Sequence, residues 1–379
     1  MAFLFTRNAK VYVEYENPND GGSAGSNTVW QIPVLDGFSF SQSVESAEIT
    51  ASEAGSAPAR GRLLFNTAVA PVEWSFSTYV RPFATGGSGT AGNWGGTANF
   101  VHAVEEVLWA MMFGATGYTV GTGTFTGGAS FHTPALTATG SKYTLAASNV
   151  ANFASNWSIY FSFEDGATTQ QVYKVTDAVV NSATIDFDIE GIATIQWSGF
   201  GKGIVDAGTT KPTRDIYEKI TDTSTFIRNK LSVLDLDGET PALSASTIAL
   251  TGGSITIENN ISYLTPEELG VVNQPFANVA GTRSITGNIT CYLDTKNNGS
   301  ASLWTSLLGA TTTIRNNFNM AIKIGGNSGN RLILDIPTAH LEIPTLGVED
   351  LLTLDIAFHA QPSTGSFDST DEFFIEYRT

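Results

Sequence analysis

The chain has one cysteine, Cys291, in 379 residues, which excludes an internal disulfide and any cysteine-built metal site. Cys291 lies in an alternating apolar pattern and is expected to be a small core residue. Positive charge is also scarce. The 19 Lys and Arg against 36 Asp and Glu give a net charge of −17, so the chain as a whole lacks the cationic, counterion-releasing grip on phosphate. This argues against a conventional DNA-binding protein and is also what solubility alone would ask for. No stretch approaches ~18 consecutive apolar residues, and "MAFLFTRNAK" has few apolar residues before Arg7, so neither a membrane span nor a signal peptide is expected. The expected site of synthesis is therefore the cytosol. The four histidines, His102, His132, His340 and His359, show no metal-ligand spacing, and no cofactor is expected.

What is present points to a β protein. A 42% hydrophobic, 15% charged chain of this length can bury a sizeable core. Its 38 glycines, abundant Ser, Thr and Asn, and frequent β-branched and aromatic residues predict a mainly β fold with turn-rich connections and little helix.

The chain also repeats itself. "LWAMMFGAT" (108–116) returns as "LWTSLLGAT" (303–311), and the match extends both ways. "DGFSFSQSVE" (36–45) corresponds to "GGSITIENNI" (252–261), "VEWSFSTYV" (72–80) to "ITGNITCYL" (285–293), and 175–201 to 336–361 in pattern. Each half reads strand, strand, long loop, strand, helix and three strands. The spacing predicts one amphipathic helix per half, capped by Asn99 and stopped at Gly114 in the first, capped by Ser300 and stopped at Gly309 in the second. Two tandem domains follow, 1–203 and 204–379, with a linker-like boundary near 203–219 and Gly/Thr-rich insertions near 84–98 and 116–150.

Strand alternation then separates two faces. Phe38, Phe40 and Val44 oppose Ser39, Ser41, Ser43 and Glu45, while Trp74, Phe76 and Val80 oppose Glu73, Ser75 and Ser77. In the second half, Ile255, Ile257 and Ile261 oppose Ser254, Thr256, Glu258 and Asn260. Ile285, Ile289, Cys291 and Leu293 likewise oppose Thr286, Asn288 and Thr290. The polar face is hydroxylated and mildly acidic. Any antiparallel sheet with one wet face shares that pattern; alternatively, it lines a passage for nucleic acid that must not stick.

Five stretches narrow the choice: "EAGSAPARGRLLFN" (53–66), "EWSFSTYVRPF" (73–83), "IEGIATIQWSGFG" (189–201), "ITIENNISYLTP" (255–266) and "AHLEIPTLGVEDLLTLDIAF" (339–358). In these the chain resembles the major tail tube proteins of long-tailed siphophages of the T-five-like type, across nearly its whole length. The resemblance implies two tail-tube-like domains, each a β-sandwich or barrel segment with one flanking helix. Three chains would form a pseudo-sixfold ring. At about four strands per domain the ring closes as a β-barrel of roughly two dozen strands. Rings would stack into a non-contractile tube that conducts the genome without binding it specifically. The implied partners are further copies of the chain, the tape measure protein, the tail terminator and distal tail proteins, without membrane insertion. The implied location is the virion tail, after synthesis and assembly in the host bacterial cytoplasm. It implies no enzymatic activity. Some relatives carry an added immunoglobulin-like domain, which is not expected after the closing strand before Thr379.

On this reading the lumen-facing residues are Ser39, Ser41, Ser43, Glu45, Glu73, Ser75, Ser77, Thr256, Glu258, Asn260, Thr286, Asn288 and Thr290. Two long loops, 46–71 and 263–281, are expected to bury Leu63, Leu64, Phe65, Val271, Val272 and Phe276 against the neighbouring ring, with Arg60 and Arg62 meeting its carboxylates. Other readings stay open. A distal tail or hub protein would use the same duplicated domains. A glycan-binding β protein would line a cleft with Trp30, Trp94 and Tyr118. "GSGTAG" (87–92) fits a dinucleotide pattern without the surrounding βαβ unit and is read as a Gly-rich loop. Asp186, Asp188 and Glu190 share a strand face that could attract a cation but suits plain solvation.

Overall fold

The computed structural model describes residues 4, 8–16, 27–50, 61–84, 101–119, 124–126, 141–144, 153, 156–165, 170–213, 225–240, 242–309, 317–348, 350–362 and 371–379. The first part of the chain forms strands β1 (Lys10–Tyr15), β2 (Thr28–Ile32), β3 (Ser39–Ser41), β4 (Val44–Thr50), β5 (Arg62–Val69), β6 (Val72–Tyr79), β7 (Pro82–Ala84) and β8 (Val101–Ala103), then helix α1 (Glu106–Met112). There follow β9 (Gly117–Thr119), β10 (Thr124–Thr126), β11 (Ser141–Thr144), β12 (Trp157–Glu164), β13 (Gln170–Thr176), β14 (Val179–Asp188), β15 (Thr194–Gly201) and β16 (Gly203–Gly208). The second part forms β17 (Val233–Thr240), β18 (Ala242–Glu258), β19 (Ser262–Leu264), β20 (Ala277–Val279), β21 (Ser284–Tyr292), α2 (Ser300–Gly309), β22 (Asn317–Ile324), β23 (Arg331–Leu341), β24 (Thr345–Val348), β25 (Leu352–Ala360) and β26 (Phe374–Arg378).

One antiparallel run of eight strands dominates, in the order β3-β6-β15-β14-β18-β21-β25-β24. Strands from residues 39–201 supply its first four members, and strands from residues 242–360 its last four. The two sets meet at the β14–β18 ladder, where Thr184 faces Thr256 and Asp186 faces Ser254.

A second layer covers the apolar face of this run. Beneath the first four strands lies the sheet β16-β13-β12-β1-β2. The alternation of β12 turns Ile159 and Phe161 inward, and Phe40 stacks on Phe161 with ring centroids 4.4 Å apart. Beneath the last four lie β17, β22, β23 and β26, whose inward residues Leu234, Met320, Ile322, Leu332 and Leu334 are fully buried. The long strand β18 links these layers: its first half pairs with β17, a bulge falls between Leu250 and Gly252, and its second half runs between β14 and β21. On the other side β23 pairs with β25 at Ala339–Leu341, so that β18, β21, β25, β23, β22 and β17 pair in a closed circuit.

Close approach of rings to backbone shapes the apolar face in both sets. Trp74 faces Gly199 across β6 and β15, whereas Gly287 faces Phe358 across β21 and β25. A Cβ on Gly199 would lie 2.5 Å from the Trp74 ring, and one on Gly287 2.5 Å from the Phe358 ring. Ring and glycine occupy the same two places in the strand order with their positions exchanged.

The helices differ from expectation and from each other. α1 begins after Glu105, which makes no side-chain cap bond, and Asn99 lies outside the described residues. Gly114 does end it, at φ 79°, where a side chain would be strained. All seven residues of α1 are buried, so it is a core helix with no wet face. α2 is amphipathic as predicted, burying Ser300, Leu303 and Leu307. Ser300 anchors its start by accepting from the Asp294 amide at 2.7 Å and donating to the Tyr292 carbonyl at 2.7 Å. Gly309 is its last residue, without a positive φ.

Candidate functional site

The exposed face of the eight-strand run is built from rows of short polar side chains. Cross-strand pairing aligns Ser39, Ser75, Ser198, Ser182, Glu258 and Ser284 in one row. The next holds Ser77, Gln196, Thr184, Thr256, Thr286 and His359. Thr194, Asp186, Ser254 and Asn288 follow, and then Asp188, Gly252, Thr290 and Asp355. Side chains bond along the rows, Ser39 to Ser75 at 2.9 Å, Thr184 to Thr256 at 3.0 Å and Ser254 Oγ to Asn288 Oδ1 at 2.7 Å, and between rows, Asn288 Nδ2 to Asp355 Oδ1 at 3.3 Å. None of the eight strands contains Lys or Arg, while Glu73, Asp186, Asp188, Glu258 and Asp355 bring carboxylates. The face therefore holds water through its hydroxyls and repels anions through its carboxylates.

Ten of the polar residues expected together are together: Ser39, Ser41, Glu73, Ser75, Ser77, Thr256, Glu258, Thr286, Asn288 and Thr290. Three are not. The chain leaves the sheet after Ser41, so Ser43 sits in a connection where its carbonyl accepts from the Ala70 amide, and Glu45 belongs to β4, opposite Ala68. Val44, expected in the core, is correspondingly exposed. β18 ends at Glu258; Asn259 turns inward to donate to the Met112 carbonyl at 2.9 Å, and Asn260, at φ 50°, donates to the Thr282 carbonyl in the connection between β20 and β21. Alternation cannot continue through such turns. Conversely Ser182, Thr184, Gln196, Ser198 and Asp355 also join the face; the alternation in "TIQWSG" carries the signal for Gln196 and Ser198, that in "SATIDFD" for Ser182 and Thr184, and that in "LTLDIAF" for Asp355.

The two long connections are not plain loops. β4 and β5 form a hairpin arm, paired from Val44–Val69 to Thr50–Arg62, with the side chains of Leu63 (71% exposed) and Leu64 (59%) bare on opposite faces. In the second half β19 and β20 pair, and Leu269, Val271, Val272 and Phe276 project from the segment between them. That segment docks on the base of the hairpin arm: Val69 donates to the Asn273 carbonyl at 2.8 Å and Asn273 to that of Thr67 at 3.0 Å. Arg62 lies 3.5 Å from Glu48 of its own arm, and Arg60 is outside the described residues. So much bare apolar surface on one subunit marks an interaction surface.

Among the described residues the competing chemistry does not assemble. Trp30 is fully buried and packs edge-on to Tyr118, with centroids 4.8 Å apart, so neither lines a cleft; Trp94, the 87–92 loop and His132 lie outside the described residues. Asp188 Oδ1 accepts from the Gly191 amide at 2.6 Å and the Glu190 amide at 3.2 Å, tying its own turn, and no metal-binding group of three acidic, His or Cys residues occurs among the described residues. His359 lies 3.1 Å from Glu342, with His340 opposite it across β23 and β25.

A buried polar cluster at α1 is structural in its contacts. Burial pushes the Glu105 carboxyl up to about 7, against the lowering effect of the Tyr377 hydroxyl, which donates at 2.6 Å, and of the Arg81 amide and charge. Trp109 donates to that hydroxyl at 2.8 Å, and Glu106 meets His102 Nδ1 at 2.9 Å. These groups have essentially no solvent contact.

The described residues thus present a broad polar wall, two projecting apolar segments of the kind that mark interaction surfaces, and a sealed core. The model of the phage tail tube protein family matches residues 41–360, and the chain belongs to that family, a structural component of the phage tail. It is similar to the tail tube protein pb6 of Escherichia phage T5, with 29% identity over 397 aligned positions covering all of this chain and 76% of that protein.

Proposed function

We propose that three copies of this chain close into a ring with pseudo-sixfold symmetry, that rings stack into the tail tube, and that the eight-strand polar face lines the channel through which double-stranded DNA passes. The observation that carries this reading is the strand order. From β3 the first set runs to β6 and then through the hairpin of β15 and β14; from β18 the second runs to β21 and then through the hairpin of β25 and β24. The run begins and ends on the short strands β3 and β24, whose outer edges have no partner among the described residues. Within the chain, β14 of the first set joins β18 of the second. Between chains β24 would join β3 of the next copy in the same way. Such a head-to-tail contact leaves no free edge once it closes. Three copies of the run give a wall of about two dozen strands, wide enough for a channel rather than a packed interior.

Transferring the β14–β18 register to the open edges specifies the contact. Through the β6–β15 and β21–β25 ladders, Thr184 and Ile185 correspond to Thr345 and Leu346; through β3–β6 and β18–β21, Thr256 and Ile255 correspond to Ser41 and Phe40. Ser41 of one copy should therefore face Thr345 of the next, with Phe40 and Leu346 turned inward. DNA would meet hydroxyls, bound water and carboxylates, with no cation on the strands to retain it. Tape measure, terminator and distal tail proteins would bound the stack.

The test is a Ser41→Cys, Thr345→Cys double variant, oxidised after assembly and run without reductant. A covalent series ending at a trimer supports the closed ring. Absence of crosslinking in assembled tubes, or a ladder continuing past the trimer, contradicts it.

A further inference from the structure

At one end of the eight-strand run, the base of the β4–β5 arm and the 265–273 segment enclose a crevice of about 650 Å³. Its lining includes Glu45, Glu267 and Glu268, none of them in an ion pair among the described residues, beside the fully exposed Leu269. At the opposite end stands a turn with the complementary character. Arg228 and Lys230 are exposed and form no ion pair among the described residues, in a chain with few cations, and Leu231 beside them is 58% exposed.

This basic turn is held rigidly. Ile227 is buried, its carbonyl accepts from the Ala193 amide at 3.1 Å, and the Asn229 amide donates to the Gly191 carbonyl at 3.1 Å. The Arg81 guanidinium lies 4.7 Å from the Phe226 ring centroid, and Tyr79 packs edge-on to that ring at 5.0 Å. A turn fixed in this way loses little entropy when it docks.

The ends are opposite by register. The crevice borders Ala70 and Pro71, just before β6 starts, whereas Arg228 bridges Ile192, next to Ala193, which accepts from Val80 just past the end of β6. The eight residues of β6 separate them by roughly 25 Å. One copy therefore cannot satisfy itself, but copies stacked end to end can. We propose that the Arg228–Leu231 turn of one copy docks into the acidic crevice of the copy in the adjoining ring, with Arg228 and Lys230 meeting Glu45, Glu267 and Glu268 and Leu231 covering Leu269. This rests on the stacked-ring reading and names the segments that make the stack.

Arg228→Glu with Lys230→Glu is expected to reduce tube formation on the order of tenfold. Adding Glu267→Lys and Glu268→Lys should restore it. Lys230→Cys with Glu267→Cys, oxidised in tubes, should give covalent chains of many copies; an internal disulfide is excluded by the separation. Tubes of normal yield from the charge-reversed chain, or no crosslinks in tubes of the cysteine pair, overturn the docking while leaving the tube intact. Failure of the stacked-ring reading itself shows differently, as no tubes from the unaltered chain and no Ser41→Cys, Thr345→Cys trimer.

Discussion

Individual residues set both the wall and its stability. Gly287 has no space for a side chain: a Cβ there would lie 2.3 Å from the Ser254 carbonyl oxygen as well as against Phe358. Gly287→Ala should cost about 1–3 kcal/mol, read as a lower urea midpoint, whereas Gly309→Ala, with nothing within 4 Å, should cost almost nothing. The buried Glu105 gives the fold a pH dependence of definite sign. Its folded value of about 7 exceeds the ordinary glutamate value of 4.5, so the native state binds the extra proton and stability falls as pH rises from about 4.5 to 7. The loss is on the order of 3 kcal/mol. Glu105→Gln, compared with the parent at pH 5 and pH 8, should flatten that difference; an unchanged dependence would place the titration elsewhere. On the polar face, Glu73, Asp186 and Glu258 changed together to Lys should leave assembly intact and slow DNA release about tenfold or more, relieved by salt. Release at the normal rate would contradict a DNA-facing role.

At the level of elements, the strands of the run were legible because their alternation is regular and one face is buried. "EWSFSTYV" and "SITIE" state their two faces outright. Ser43, Glu45 and Asn260 were misplaced because alternation says nothing about where a strand leaves its sheet, and that is decided by tertiary bonds such as Asn259 to Met112. The β4–β5 arm read as a loop because both of its faces are exposed among the described side chains, so it lacks the one-sided burial that makes a strand visible in sequence. α1 read as amphipathic because Glu105 and Glu106 look like a wet face; Tyr377, 272 positions away, and His102 are what permit their burial. The arm makes a separate prediction. Leu63, Leu64 and Phe65 changed to Ser touch little of their own domain, so thermal unfolding of the unassembled chain should shift by less than about 0.5 kcal/mol. Tube formation should nevertheless fail. Unimpaired assembly would show that these side chains face solvent in the tube.

For the whole molecule, the proposed ring would give the repeated string around the two helices and the repeated strand order one explanation: each chain would fill two neighbouring places in it. The order of strands could not be read from sequence, because pairing partners such as β14 and β18 are distant and are joined through a 17-residue strand that serves both layers. The exchange of Trp74 and Gly199 for Gly287 and Phe358 suits copies that diverged while keeping one local geometry. The most direct measurement is electron cryomicroscopy of the assembled tube at a resolution that separates strands. The account predicts a wall with threefold rings, eight strands from each chain, β24 paired to β3 of the next copy, and Glu73, Asp186, Glu258 and Asp355 facing the channel. A wall with the polar face turned outward, or rings closed by contacts that leave β3 and β24 unpaired, would contradict it.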